Sequence, residues 1–217
     1  MSMQRVLDPG TMGTPGQRLT IAVAPLKCRD FGHVPDVTAM QPGDLVLFGA
    51  VKPTWNGRIV VDAQRRGGFA EQDCQWSHVA VYLYDWYVVE ALPWHGVIQR
   101  NILEYVPGFR MRIRRAPALA MEDRYRIALR ALSMFGQGYS HLGIGLLYLD
   151  LLRGLWSAEK VVSSPRINIC SRVFHDAHAA ITRRQLRECP FDRVVTPAHL
   201  SATPDLDDVE VGWAKII

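Results

Sequence analysis

The chain has 217 residues, 48% apolar and 21% charged, enough to bury one sizeable core and too few to argue for two. Its 25 basic residues against 21 acidic ones leave a formal charge of +4, an excess too small to mark a polyanion-binding protein. The arginines around 110–115 and 183–187 are scattered rather than gathered into a stripe, so nucleic acid is not an expected partner.

Cysteines at 28, 74, 170 and 189 have no regular spacing, unlike the disulfide framework of a small secreted scaffold. The apolar stretch 19–26 is short, contains Pro25 and runs into Lys27 without a small-residue cleavage site, so no ordinary secretion signal is visible. The apolar run 142–152 is about half the length needed to span a bilayer and contains Asp150. It reads as a core or pocket helix of a soluble protein made in the cytoplasm.

Along the chain, residues 1–40 carry Pro9-Gly10 and Pro15-Gly16 without sustained periodicity and read as an irregular arm, with one domain over 41–217. Segments 45–48, 78–83, 87–91, 96–102 and 111–115 are short, β-branched or aromatic, and separated by turn residues, which predicts a meandering sheet. The connection 49–76 is long enough to suggest a functional loop or lid. Beyond it, Met121, Tyr125, Ala128, Leu132 and Phe135 recur at helical steps, a second helix is expected over 142–153, and a third runs from Cys170 to about Ile181. The fold class is therefore α+β.

Three residues stand out chemically. Asn168 is a favourable helix cap that would place Cys170 in the first turn, where unpaired N–H groups and the helix dipole favour a thiolate. Val173, Phe174, Ala177 and Ile181 follow at helical spacing, so Cys170 belongs to the face that packs on the sheet. His78 opens the most apolar strand, and Glu90 interrupts Val88-Val89-Glu90-Ala91, where a buried carboxylate needs a partner. A hairpin centred on Tyr84 pairs His78 with Glu90, whereas a turn at Asp85-Trp86 puts Glu90 opposite Val81 and on the wrong face.

The segments Gly43-Asp44-Leu45-Val46-Leu47-Phe48, Ser77-His78-Val79-Ala80-Val81-Tyr82-Leu83, Val88-Val89-Glu90-Ala91 and Asn168-Ile169-Cys170-Ser171-Arg172-Val173, with the later Thr196-Pro197-Ala198-His199-Leu200, occur in an order that resembles the permuted, YiiX/YaeF-like branch of the NlpC/P60 superfamily. The resemblance spans about residues 41–202. It implies a circularly permuted papain-like fold and a cysteine hydrolase with Cys170 as nucleophile, His78 as base and Glu90 as orienting acid. It also points to amide bonds of bacterial cell-wall (peptidoglycan) peptides as substrate. Without an ordinary export signal, such an enzyme would need a specialised secretion route into the periplasm of a target cell, as for an antibacterial effector with an immunity or inhibitor protein as partner. Two features depart from the family pattern: the 49–76 insertion, and Ser171-Arg172 after the nucleophile.

Ser77 and Tyr139, the latter in Phe135-Gly136-Gln137-Gly138-Tyr139, are candidate substrate-binding residues. His95 rivals Glu90 as orienting group, and Cys74 rivals Cys170 as nucleophile but lacks the helix-start setting. A metal site from Cys170, His175 and His178 is not expected, because Cys170 and His175 lie about 140° apart on a helix. No cofactor is expected either, since the paired glycines at 136/138 and 143/145 lack a third glycine and a preceding strand. The alternatives are a lipid acyl hydrolase or acyltransferase using the same thiol, suggested by the 142–152 run, and a non-enzymatic binding module with Trp76, Trp86 and Trp94 as exposed anchors.

Overall fold

The computed structural model describes residues 4–11, 17–19, 24–138, 169–189 and 195–217. Tyr139, Asn168 and the helix expected over 142–153 lie outside the described residues.

The chain folds as α+β around a six-stranded antiparallel sheet. Strands β3 (Leu45–Ala50), β4 (His78–Tyr84), β5 (Tyr87–Leu92), β6 (Gly96–Asn101), β7 (Phe109–Arg115) and β8 (Asp207–Val209) are ordered β6-β5-β4-β3-β7-β8. Strand β3 is central and buried on both faces, which is why Leu45-Val46-Leu47-Phe48 reads as an unbroken apolar run. Leu45 and Leu47 join Val79, Val81, Val89 and Val97 on one face, while Val46 and Phe48 join Ala80, Tyr82, Val88 and Met111 on the other.

The chain enters β3 through Gly43 at φ +83, where a Cβ would stand 2.5 Å from the Arg124 carbonyl oxygen, so both backbone conformation and space require glycine. Asp44 beside it is buried, accepts from the Gln41 N–H at 2.8 Å and pairs with Arg115 at 2.6 Å. The arginines of β7 are likewise structural. Arg112 bonds Asp208 and Ser201, and Arg114 donates to the carbonyls of Leu200, Ser201, Thr203 and Leu206, tying β7 to the C-terminal segment.

One face of the sheet is covered by α4 (Met121–Leu132) and α5 (Cys170–Thr182), which also pack on each other. Helix α4 is where the sequence predicts it but is rotated. Met121, Tyr125 and Phe135 are exposed, and Ile127, Ala128, Ala131 and Met134 face inward. Ala128 and Ala131 give the buried side of α4 little bulk, and α4 packs both on α5 and on the sheet.

The opposite face is covered by the first part of the chain. Residues 1–40, expected to be irregular, include β1 (Gln17–Leu19), α1 (Leu26–Phe31) and β2 (His33–Pro35). With β9 (Trp213–Ile216) these strands form a second sheet in the order β1-β9-β2, parallel between β1 and β9 and antiparallel between β2 and β9. Cys28, Val34, Met40, Trp213 and Ala214 fill the core on this side.

The 49–76 connection is not an open loop. It holds α2 (Trp55–Arg66), capped by Thr54, and the short α3 (Glu71–Cys74). The fully buried Gln64 of α2 donates to the carbonyls of Cys74 and Trp76 at 2.9 Å each and accepts from the Ala198 N–H at 2.8 Å. These bonds fasten the helix to the lead-in of β4 and to α6 (Pro197–Ala202), so a lid reading of the whole connection does not hold.

Candidate active site

The site is assembled by the β4–β5 hairpin and the start of α5. Neither hairpin register considered from sequence is the observed one. The turn is at Asp85-Trp86, with Asp85 at φ +49 and Tyr84 paired to Tyr87, but a bulge between Tyr82 and Tyr84 absorbs one residue. Glu90 therefore faces Ala80 rather than Val81 or His78. Because His78 and Ala80 are two residues apart, Glu90 is returned to the face that carries the imidazole.

From there the Glu90 carboxylate reaches His78. Its Oε2 stands 2.5 Å from Nε2 of the ring, and the carboxylate is fully buried while the His78 side chain is 14% exposed. The same oxygen accepts a hydrogen bond from the Tyr105 hydroxyl. The His78 ring lies near-parallel to Phe48 at 5.9 Å between centroids and to Tyr105 at 6.0 Å. Arg100 lies over the Tyr105 ring at 5.6 Å and approaches the second Glu90 oxygen at 3.9 Å, its guanidinium paired with Glu104 at 2.6 Å.

Cys170 is the first residue of α5 and is 9% exposed, at the margin of the buried core. Ile169 is the N-cap, in extended conformation and without a side-chain cap bond, which places the thiol at the helix tip. The body of α5 lies on the Val79 and Val81 face of β4, opposite the His78 face. Sulfur and imidazole meet because each belongs to the first residue of its element, where the helix tip reaches the strand end.

At that contact, burial alone would lower the His78 pKa, but the negative charges of Glu90 and Cys170 and the hydrogen bonds to both raise it to about 10. With Nε2 engaged by Glu90, Nδ1 is the ring nitrogen left for the thiol. The geometry suits an imidazole that can exchange a proton with the Cys170 sulfur while its far nitrogen is held by the Glu90 carboxylate. Burial, with the Glu90 charge, pushes the Tyr105 phenol far above its ordinary range, so the hydroxyl remains a donor.

Ser77 lies immediately before His78, donates its N–H to the Phe48 carbonyl at 2.9 Å and is half-buried beside Gly57 of α2. His95 is exposed in the β5–β6 turn and bonds the Pro93 carbonyl, while Glu90 is the residue bonded to the His78 ring. Cys74 is fully buried, its sulfur is directed at the Phe69 carbonyl, and burial raises its pKa. Trp76 is fully buried and Trp86 partly so, leaving Trp94 as the exposed member of the three expected anchors. Among the described residues, no group of three His, Cys, Asp or Glu side chains comes together as a metal cluster. His178 is pushed down to about 4 by burial and by His175.

Ser171, which follows Cys170, is buried and donates to the Val195 carbonyl, just ahead of the Thr196 cap of α6. Arg172 pairs with Asp176 one turn along at 2.9 Å. Tyr105, Phe48 and Arg100 were not found from sequence. The available signal was Asn101, whose side chain accepts from the Leu103 N–H and ends β6, starting the single turn that carries Tyr105 back towards Glu90.

No family model and no curated protein matches this chain. Among solved structures, it is similar to the metalloprotein yiiX from Escherichia coli O157:H7, with a TM-score of 0.55 and 15% identity, over 78% of this chain and 96% of that one. That likeness supports a shared fold. Among the described residues, no helix is long and apolar enough to cross a membrane.

Proposed function

We propose that this protein is a cysteine hydrolase on a permuted papain-like fold, acting on amide bonds of bacterial cell-wall peptides. The observation that carries the reading is the line Cys170–His78–Glu90, in which a helix-tip sulfur adjoins an imidazole whose far nitrogen is held by a buried carboxylate.

In the reaction, the Cys170 sulfur attacks the acyl carbonyl and forms the S–C bond, and the electron pair moves onto the carbonyl oxygen. The Cys170 backbone N–H, at a helix start where intrahelical partners are lacking, suits that oxyanion. Collapse of the intermediate breaks the C–N bond, and the proton on Nδ1 of His78 passes to the departing amine. The neutral ring then takes a proton from water as the water oxygen attacks the thioester carbonyl; the C–S bond breaks, the carboxylic acid leaves and the thiolate is regenerated. Glu90 holds the ring orientation and stabilises its charged form throughout.

The term metalloprotein belongs to the structural neighbour. Among the described residues of this chain, no three His, Cys, Asp or Glu side chains come together to hold a metal ion. The amide preference rests on the family resemblance of the Gly43, Ser77, Val88 and Asn168 segments. It is tested by release of peptides from purified peptidoglycan by wild-type protein, with phospholipid vesicles as a second substrate. Loss of release in Cys170→Ala and His78→Ala supports the reading. Undiminished release by Cys170→Ala overturns the mechanism, and fatty-acid release without peptide release overturns the substrate.

A further inference from the structure

We infer that Tyr105 is a positioning residue of the site, acting through Glu90 on His78; this rests on the cysteine-hydrolase reading above. Both donors that reach the Glu90 carboxylate converge on Oε2, one from His78 Nε2 and one from the Tyr105 hydroxyl. Among the described residues, the other oxygen, Oε1, is buried without a hydrogen-bond partner, with the nearest Arg100 nitrogen at 3.9 Å. The phenol bonds the same Oε2 from a second direction and so holds that oxygen against the imidazole.

The phenol itself is held from several sides. Its ring stacks on Phe48 with centroids 4.0 Å apart, meets Phe109 edge-on at 5.0 Å and lies under Arg100. The titratable and charged groups facing the assembly are His78 from β4, Glu90 from β5, Arg100 from β6, Glu104 from the turn after it, and Cys170 from α5. Tyr105 is the neutral donor among them. It stabilises the carboxylate without competing with the imidazolium for charge, as a second cation would.

The test is the pH profile of Cys170 alkylation by iodoacetamide, which needs no assumption about substrate. In Tyr105→Phe the ring packing is kept and the donor removed. The acid limb of the profile moves to higher pH, and kcat on peptidoglycan falls about tenfold, the loss expected for one hydrogen bond to a charged group, with KM within about twofold of wild type. Replacing Tyr105 by 3-fluorotyrosine keeps the ring and strengthens the donor, so the limb moves to lower pH; this arm reads out even if the phenylalanine variant does not fold. An unmoved limb in both Tyr105 variants, with Glu90→Gln still shifting it, overturns the role of Tyr105 alone. An unmoved limb in Glu90→Gln as well, or full activity of Cys170→Ala, overturns the hydrolase reading instead.

Discussion

His78 and Glu90 meet on a diagonal. Glu90 stands opposite Ala80 in the β4–β5 ladder and reaches back one pleat to bond Nε2 at 2.5 Å. Diagonal neighbours on one face of an antiparallel pair are roughly 7–8 Å apart at the backbone, within reach of a long side chain. Side-chain length therefore matters as much as charge. Glu90→Asp, one methylene shorter, loses contact with the imidazole and is expected to lower kcat on peptidoglycan roughly tenfold or more. Glu90→Gln keeps the length, removes the charge and lowers it roughly a hundredfold. Activity of the aspartate variant equal to wild type would show that the diagonal contact is dispensable.

Thiol reactivity separates the four cysteines. Cys28 and Cys74 are fully buried with raised pKa values, and burial pushes Cys189 up to about 12. Cys170 alone among them adjoins an imidazolium at a helix tip. Mass-resolved labelling at pH 7 is expected to modify Cys170 at least about tenfold faster than the others. In His78→Ala that advantage disappears. Uniform labelling in the wild-type protein would count against an activated thiol.

The His78 charge also links stability to pH. Its folded-state pKa is raised from the ordinary 6.5 to about 10, chiefly by Glu90 and Cys170 working against burial. A raised value means that the folded form binds the proton more tightly, so the contribution is full below about 6.5 and is lost as pH climbs through about 10. Urea titrations should show wild type more stable than Glu90→Gln at pH 6, with the gap narrowing towards pH 10. A gap that widens over that interval would contradict the charge state assigned to the ring.

Gln64 tests how the strand end is held. Three backbone groups, the carbonyls of Cys74 and Trp76 and the N–H of Ala198, bond to its amide in a fully buried setting. Gln64→Leu leaves all three unpaired at a cost of roughly 2–4 kcal/mol, since each buried orphan group is expensive. Chemical denaturation measures the loss. A change below about 0.5 kcal/mol would mean that the α2 anchor is not part of what fixes β4.

Much of the sheet was legible in the amino-acid sequence, because strands buried on one or both faces must be apolar at every second or every position. The bounds of β3, β4 and β5 follow that rule, as does the α5 face formed by Val173, Phe174 and Ala177. Helix α2 was not legible. Its inward side is short and includes the polar Gln64, whose burial makes sense only once Cys74, Trp76 and Ala198 are in place around it. The rotation of α4 was hidden for a related reason: two alanines lie on its buried side, and alanine carries little periodic signal beside Tyr125 and Phe135.

By itself, the sequence determined which residues are available for chemistry: a cysteine opening a helix, a histidine opening a strand and a glutamate inside an apolar run. These depend on local pattern, and local pattern is written in consecutive residues. Tertiary structure alone decided that the three form one line with a tyrosine behind it. A one-residue bulge near Leu83 restored the face of Glu90, and a turn after β6 delivered Tyr105 to the same oxygen. Register and long-range approach arise from the packing of separate segments, and neither leaves a mark in the residues next to the site.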